Sequence, residues 1–156
     1  MRKTTLISFI IALALILAGI AAVFIVRAAN GSRFVTSESE AQEIYRSLSA
    51  EFAEAAQVMG EQKPQKNERL VVSADSLSRV PSNSRGCFQR LFEDKVAQAE
   101  LFCGESGYAV VFAFASPDGE PQYFIAYAED EQLIPAPDYF LKRIEPNWYS
   151  YHISLD

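Results

Sequence analysis

The sequence of 156 residues has little of the chemistry that enzymes and metalloproteins commonly use. It contains a single histidine, His152, and two cysteines, Cys87 and Cys103, which do not form a Cys-x-x-Cys motif. Zinc and iron sites built from several imidazoles or thiolates are therefore excluded. Glycine-rich phosphate loops and the Ser-x-x-Lys and Gly-x-Ser-x-Gly motifs are also missing. We expect no cofactor and no metal, and the sequence favours a non-enzymatic protein.

Two weak catalytic alternatives remain. Residues 104–107, Gly-Glu-Ser-Gly, are similar to the Gly-Asp-Ser-Gly around the nucleophile of chymotrypsin-like proteases. However, no histidine precedes Ser106 and the chain is too short for two barrels, so we interpret this segment as a tight turn between strands. The other alternative is an enzyme that uses carboxylates, for which the candidates are Glu93, Asp94, Glu105 and Asp118.

Positive charge is also scarce. The chain has 14 Lys and Arg against 20 Asp and Glu, a formal net charge of -6. Three of the basic residues, Arg2, Lys3 and Arg27, lie in the first 27 positions, so the remainder carries 11 basic and 20 acidic side chains. Such a surface repels phosphate backbones, and no basic patch would draw it to anionic lipid. We therefore expect no nucleic-acid partner.

The most prominent feature present is a hydrophobic run at residues 4–26. It is an uncharged stretch of 23 residues, which as a helix would span about 34 Å and cross a hydrocarbon core of about 30 Å. The run is longer than the apolar region of a typical cleaved signal peptide. We therefore predict a transmembrane signal anchor over residues 1–27, with a secreted domain after cleavage near residue 21 as the alternative.

The flanking charges predict the orientation of this anchor. Arg2 and Lys3 precede the hydrophobic run and Arg27 follows it, so the positive-inside rule keeps the N-terminus in the cytoplasm. The sequence thus predicts a single-pass protein of the inner (plasma) membrane with a linker at residues 28–36. A domain at residues 37–156 would lie in the periplasm or outside the cell.

The two cysteines are predicted to form a disulfide, Cys87–Cys103, because oxidising compartments favour disulfides. We favour a hairpin centred on Lys95, in which Cys87 faces Cys103 and Arg90 faces Glu100 across the strands. Apolar residues between the cysteines also repeat near helical spacing. In that alternative the bridge requires Cys87 before the helix and Cys103 on a strand that folds back over it.

The remaining pattern predicts an α+β domain. Ser37 and Glu40 form a capping box at the start of one long amphipathic helix that ends near Gly60. Its apolar stripe comprises Ala41, Ile44, Tyr45, Leu48, Phe52, Ala55 and Met59. Strands are predicted at residues 70–72, 108–115, 123–128 and 148–153, with a turn at 116–120. The helix is expected to pack on a mainly antiparallel sheet.

Aromatic residues are concentrated in the second half of the chain. Most are expected in the core, since strands favour aromatic side chains. On the last strand, Tyr149 and Tyr151 share one face and Trp148 lies on the other. Trp148, Tyr149 and Tyr151 are also the candidates for a binding surface, because such rings combine large apolar area with a polar tip.

The layout resembles that of type IV pilins and pseudopilins, with a hydrophobic N-terminal helix followed by an antiparallel sheet. Their processing signature is missing, because residues 4–26 contain no acidic residue. We expect a membrane-anchored extracytoplasmic protein that serves as an interaction or accessory module of a cell-envelope complex, with a protein partner there. A pilin-like or secretion-system assembly subunit is the alternative.

Overall fold

The computed structural model describes residues 33–62, 69–136 and 140–153. The chain divides into two compact units, Met1–Arg33 and Phe34–Asp156, and nearly all described residues belong to the second. The predicted membrane anchor lies outside the described residues. Within the described part of the chain, no helix has the length and apolar character needed to cross a membrane.

The predicted long helix is two helices, α1 (Glu38–Ser47) and α2 (Ser49–Glu61). Ser37 caps α1 as predicted, because its side chain accepts a hydrogen bond from the backbone N–H of Glu40. The helices separate at Leu48, whose backbone leaves helical geometry. Beside it, the Ser47 hydroxyl donates to the carbonyl of Ile44 at 2.8 Å, a local bond of the kind that competes with helical hydrogen bonds.

The predicted apolar stripe is confirmed despite this break. Its members are buried apart from Ile44, which is partly buried against the same core. Phe52 has no exposed surface and lies in an aromatic cluster with Phe112 of the sheet, at 4.8 Å between ring centroids, and with Trp148, at 6.2 Å. Both helices therefore share one face of the sheet.

In the described part of the chain, the sheet has six strands, all antiparallel to their neighbours, which confirms the α+β class. The strands are β1 (Leu70–Ser73), β2 (Val96–Cys103), β3 (Tyr108–Phe114), β4 (Tyr123–Ala128), β5 (Lys142–Glu145) and β6 (Trp148–His152). Their order is β1-β2-β3-β4-β6-β5. The predicted turns are confirmed too, since Gly104 donates to the Gly107 carbonyl between β2 and β3, and Gly119 to the Ser116 carbonyl between β3 and β4.

The predicted hairpin across residues 87–103 is wrong. A third helix, α3 (Arg85–Glu93), precedes β2, and Lys95 makes the turn between them with φ 73°. Arg90 consequently pairs with Glu51 on α2 at 3.0 Å rather than with Glu100. The helical spacing in this segment was the correct signal, because it reflects a face that packs Phe88 and Leu91 into the core.

The domain begins earlier than the predicted boundary at residue 37. Val35 is buried, and its N–H donates to the Ala115 carbonyl at 3.0 Å. The Tyr123 hydroxyl donates to the Thr36 carbonyl at 3.0 Å. Residues 35 and 36 are thus bonded to the sheet, and part of the predicted linker belongs to the folded unit.

Candidate binding site on the outer face of the sheet

The face of the sheet turned away from the three helices, called here the outer face, contains a cavity of ≈ 570 Å³. Its volume lies within the range of about 300 to 1,000 Å³ that is usual for ligand sites. The polar residues that line it are Arg69, Gln98, Glu100, Glu120 and Tyr151. Its apolar wall includes Phe102, Val111, Ala113 and Phe124.

The cavity arises from the alternation of side chains along the strands. Gln98, Ala113, Phe124 and Tyr151 are successive cross-strand partners on β2, β3, β4 and β6, so they form one row on the outer face. Ala113 is the smallest member and lies between Gln98 and Phe124. A methyl group between longer side chains leaves space above the sheet, and this space is part of the cavity.

Glu100 is a charged residue at the base of this apolar surface. It lies opposite Val71 on β1 and Val111 on β3, and its side chain is only 7% exposed. A buried carboxylate is costly unless a cation accompanies it. Arg69 supplies that cation: its Nη2 donates to Oε2 of Glu100 at 2.6 Å, and its Nε lies beside Oε1. The Arg69 side chain is 69% exposed, so the carboxylate is buried and its partner is mostly in solvent.

Tyr151 forms a second part of the site. Its side chain is buried, with 2% exposure, and its ring stacks on Phe124 with centroids 4.6 Å apart and an interplanar angle of 7°. Burial raises the pKa of the Tyr151 hydroxyl, so the group stays protonated at neutral pH. No hydrogen bond to this hydroxyl occurs among the described residues, which leaves both its proton and its lone pairs for another molecule.

The structure buries all three aromatic residues that the sequence analysis named as candidates for a binding surface. Trp148 faces the helices, and its centroid lies 5.0 Å from that of Tyr45. Tyr149 and Tyr151 share the opposite face, as predicted, and pack in a second apolar cluster there. The reason is that apolar clusters cover both faces of β6, since Trp148 belongs to the helix-side core and Tyr149 and Tyr151 belong to the cluster on the outer face. Of the three residues, only Tyr151 lines the cavity.

The predicted disulfide is not formed, and both cysteines are free thiols. Cys87 is buried in α3, where its Sγ donates to the Ser84 carbonyl at 3.0 Å, and burial together with nearby Glu54 raises its pKa to about 12. Cys103 is exposed at the far end of β2. From the turn at Lys95, the helix carries Cys87 back by about 9 Å and the strand carries Cys103 about 23 Å. Bonded cysteines need Cα atoms within about 7 Å of each other.

The structure also separates the catalytic candidates. Ser106 donates to Asp130, just beyond β4, at 2.7 Å, whereas His152 pairs with Tyr123 at the opposite end of that strand. Ser106 and His152 are thus about a strand's length apart. The four candidate carboxylates are all exposed. Within the described ranges, no group of three or more His, Cys, Asp or Glu side chains could hold a metal ion.

Sequence reasoning missed Arg69, Gln98 and Glu100 as site residues. One signal was present: Glu100 is an acidic residue inside the otherwise mostly apolar run 96–103, and a charge within such a strand requires a partner or a function. The pairing with Arg69 could not be read from the sequence, because Arg69 comes from a neighbouring strand edge.

Comparison with known proteins gives no match to a family model, to a curated protein or to a solved structure.

Proposed function

We propose that this chain is a membrane-anchored extracytoplasmic interaction module of a cell-envelope complex, and that the outer-face cavity is its contact site. The observation that carries the proposal is the buried carboxylate of Glu100 at the base of a cavity lined by aromatic rings. Most of the energy in a protein contact comes from a few deep, desolvated positions of this kind.

The anchor is supported by the sequence and by the way the chain enters the domain. Residues 4–26 are uncharged and long enough to cross a bilayer as a helix. The Val35 N–H donates to the Ala115 carbonyl at the end of β3, and only residues 27–34 lie between this point and the hydrophobic run. A partner held in the cavity would therefore stay attached to the membrane surface.

Binding is supported over catalysis by the state of the polar groups in the cavity. Oε2 of Glu100 accepts a hydrogen bond from Arg69 Nη2, and Arg69 Nε lies beside Oε1, so the carboxylate is held as an ion pair. Tyrosine is ordinarily protonated at neutral pH, and burial raises the pKa of the Tyr151 hydroxyl further, which makes its ionisation harder still. Neither group is prepared as a base or nucleophile, but both can hold a ligand by charge and hydrogen bonding.

Site-specific photo-crosslinking in cells tests the contact site. A crosslinking residue at Glu120, which is exposed at the cavity, should give a discrete adduct with an envelope protein. The matched control is Glu93, exposed at the end of α3 on the helix side, which should give none. Equal adducts from both positions, or adducts from Glu93 alone, would contradict the proposal.

Mass spectrometry of the mature N-terminus tests the anchor. The intact N-terminus in the membrane fraction, with the domain accessible to external protease, is the expected result. A soluble product that begins near residue 21 would establish the secreted alternative, and cleavage within the first ten residues would establish a pilin-like subunit.

A further inference from the structure

We infer that the cavity binds a lysine or arginine side chain of the partner protein, with its cationic group at Glu100 and its hydrocarbon stem along Phe124 and Tyr151. This inference rests on the proposed function, and it specifies the chemistry that the contact site recognises.

The charge of the cavity supports a cationic occupant. Its lining contains two carboxylates, Glu100 and Glu120, and one guanidinium, Arg69. The chain beyond residue 27 is also acidic, with 20 Asp and Glu against 11 Lys and Arg. Such a field attracts basic segments and repels acidic ones.

The internal pair shows how the occupant would bind. Arg69 Nη2 donates to Oε2 of Glu100, so the carboxylate accepts a cationic donor. The other oxygen, Oε1, lies beside Arg69 Nε but is buried and accepts no hydrogen bond among the described residues, so it can accept one from an occupant. Because Arg69 is mostly exposed and Glu100 is buried, the arginine can return to water at little cost, whereas the carboxylate cannot. A cation arriving from the cavity side can therefore replace Arg69 without leaving Glu100 unpaired.

The remaining lining suits the rest of a basic side chain. The stacked rings of Phe124 and Tyr151, together with Phe102, offer apolar area for a hydrocarbon stem and ring faces for the cation. The Tyr151 side chain is 2% exposed, and its hydroxyl has no hydrogen-bond partner among the described residues, so its lone pairs can accept a hydrogen bond from an ammonium or guanidinium group. This unpartnered group is an observation independent of the Glu100 carboxylate.

An NMR titration of the full-length chain in detergent micelles tests the inference with four capped tripeptides. The central residue between two glycines is Arg, Lys, Gln or Glu, and the labelled rings of Phe124 and Tyr151 are followed. The Arg and Lys peptides should shift both rings saturably and bind at least tenfold more tightly than the Gln and Glu peptides. Their binding should weaken as salt is added.

Substitutions give the sharper test. Glu100→Gln should weaken binding of the Arg peptide at least tenfold. Glu120→Gln, at an exposed position, should weaken it about twofold. Arg69→Ala should tighten binding, because it removes the internal competitor. Glu105→Gln, an exposed acidic residue in the β2–β3 turn, is the control and should change nothing. If Glu100→Gln does not fold, as judged by the fluorescence of the single tryptophan, the affinities of Arg69→Ala and Glu120→Gln for the Arg peptide test the inference.

Several results would overturn the inference. Preference for the Glu peptide with weaker binding in Arg69→Ala would identify a site for carboxylates. Tighter binding of free n-butylguanidinium than of the Arg peptide would identify a site for small organic cations. Failure of every peptide to bind, while Glu120 still crosslinks in cells, would refute the cationic occupant alone. Loss of that crosslink would refute the proposed function itself.

Discussion

Two helical glycines, Gly60 and Gly86, should respond in opposite ways to replacement by alanine. Gly60 is buried near the end of α2, where an added Cβ would overlap the phenol ring of Tyr108. Gly86 is exposed near the start of α3, where a Cβ would meet nothing within 4 Å. The same chemical change is therefore a steric conflict at one position and free of contact at the other.

The expected magnitudes follow from two opposing effects. Replacing glycine by alanine favours a helix by up to about 1 kcal/mol. Part of this stabilisation is expected at both positions. Overpacking a tight contact costs about 1 to 3 kcal/mol, and only Gly60→Ala incurs it. We expect Gly60→Ala to lower the free energy of unfolding by about 1 to 2 kcal/mol, and Gly86→Ala to raise it by roughly half a kcal/mol.

Urea unfolding of the full-length chain, followed by the fluorescence of the single tryptophan, measures both variants. In a Tyr108→Ala background the phenol ring is absent, so Gly60→Ala should cost at least about 1 kcal/mol less than in the parent chain. An equal cost in both backgrounds would refute the steric explanation. A destabilised Gly86→Ala would show that glycine is needed there for a reason other than space.

Three further predictions concern the thiols, an ion pair and the core. At about pH 8 the native protein should be alkylated at Cys103 but not at buried Cys87, since burial and Glu54 raise the pKa of Cys87 to about 12. The unfolded protein should be alkylated at both cysteines. If neither cysteine is labelled before reduction, the predicted disulfide is present after all. Partial burial raises the pKa of Glu40, but hydrogen bonds to Lys95 and Thr36 and the charge of Lys95 outweigh this effect. The net result is a pKa below the usual glutamate value. Its ionised form therefore stabilises the fold above the usual glutamate pKa, and this contribution is lost as pH falls through the folded pKa. Glu40→Gln should be less stable than the parent at neutral pH by a few tenths to about 1 kcal/mol. In urea titrations this deficit should shrink as the pH falls below the usual glutamate pKa, and a deficit that does not depend on pH would contradict the prediction. Phe52→Ala should cost about 3 to 5 kcal/mol in the same titrations because its ring is fully buried, and a loss below about 1 kcal/mol would refute its central place in the core.

Local patterns in the sequence predicted much of the fold. The Ser37 cap, the apolar stripe from Ala41 to Met59 and the turn at Gly119 are confirmed. Each of these signals lies within a few neighbouring residues, where helix periodicity and backbone preferences act directly. The hairpin prediction was wrong because residues 88–99 are compatible both with cross-strand pairing and with the spacing of a helix.

The candidate site was less accessible to such reasoning. Tyr151 was selected for its residue type, yet it lines the cavity only because the register places it beside Phe124. Glu100 was assigned to Arg90, a partner close in sequence, whereas its partner Arg69 is 31 positions away. Opposite charges in one segment do not specify which pair will meet after folding.

By itself, the sequence determined that this chain has a 23-residue uncharged run ahead of an acidic α+β domain, and that multi-histidine metal chemistry is excluded. These properties depend on composition and on spacing between near neighbours. Only the tertiary structure decided that both thiols stay apart and that Trp148 is core. It also brought Glu100, Arg69 and Tyr151 to one cavity. The physical reason is that strand order and register, which follow from packing of the whole chain, determine which distant side chains meet and which faces are buried.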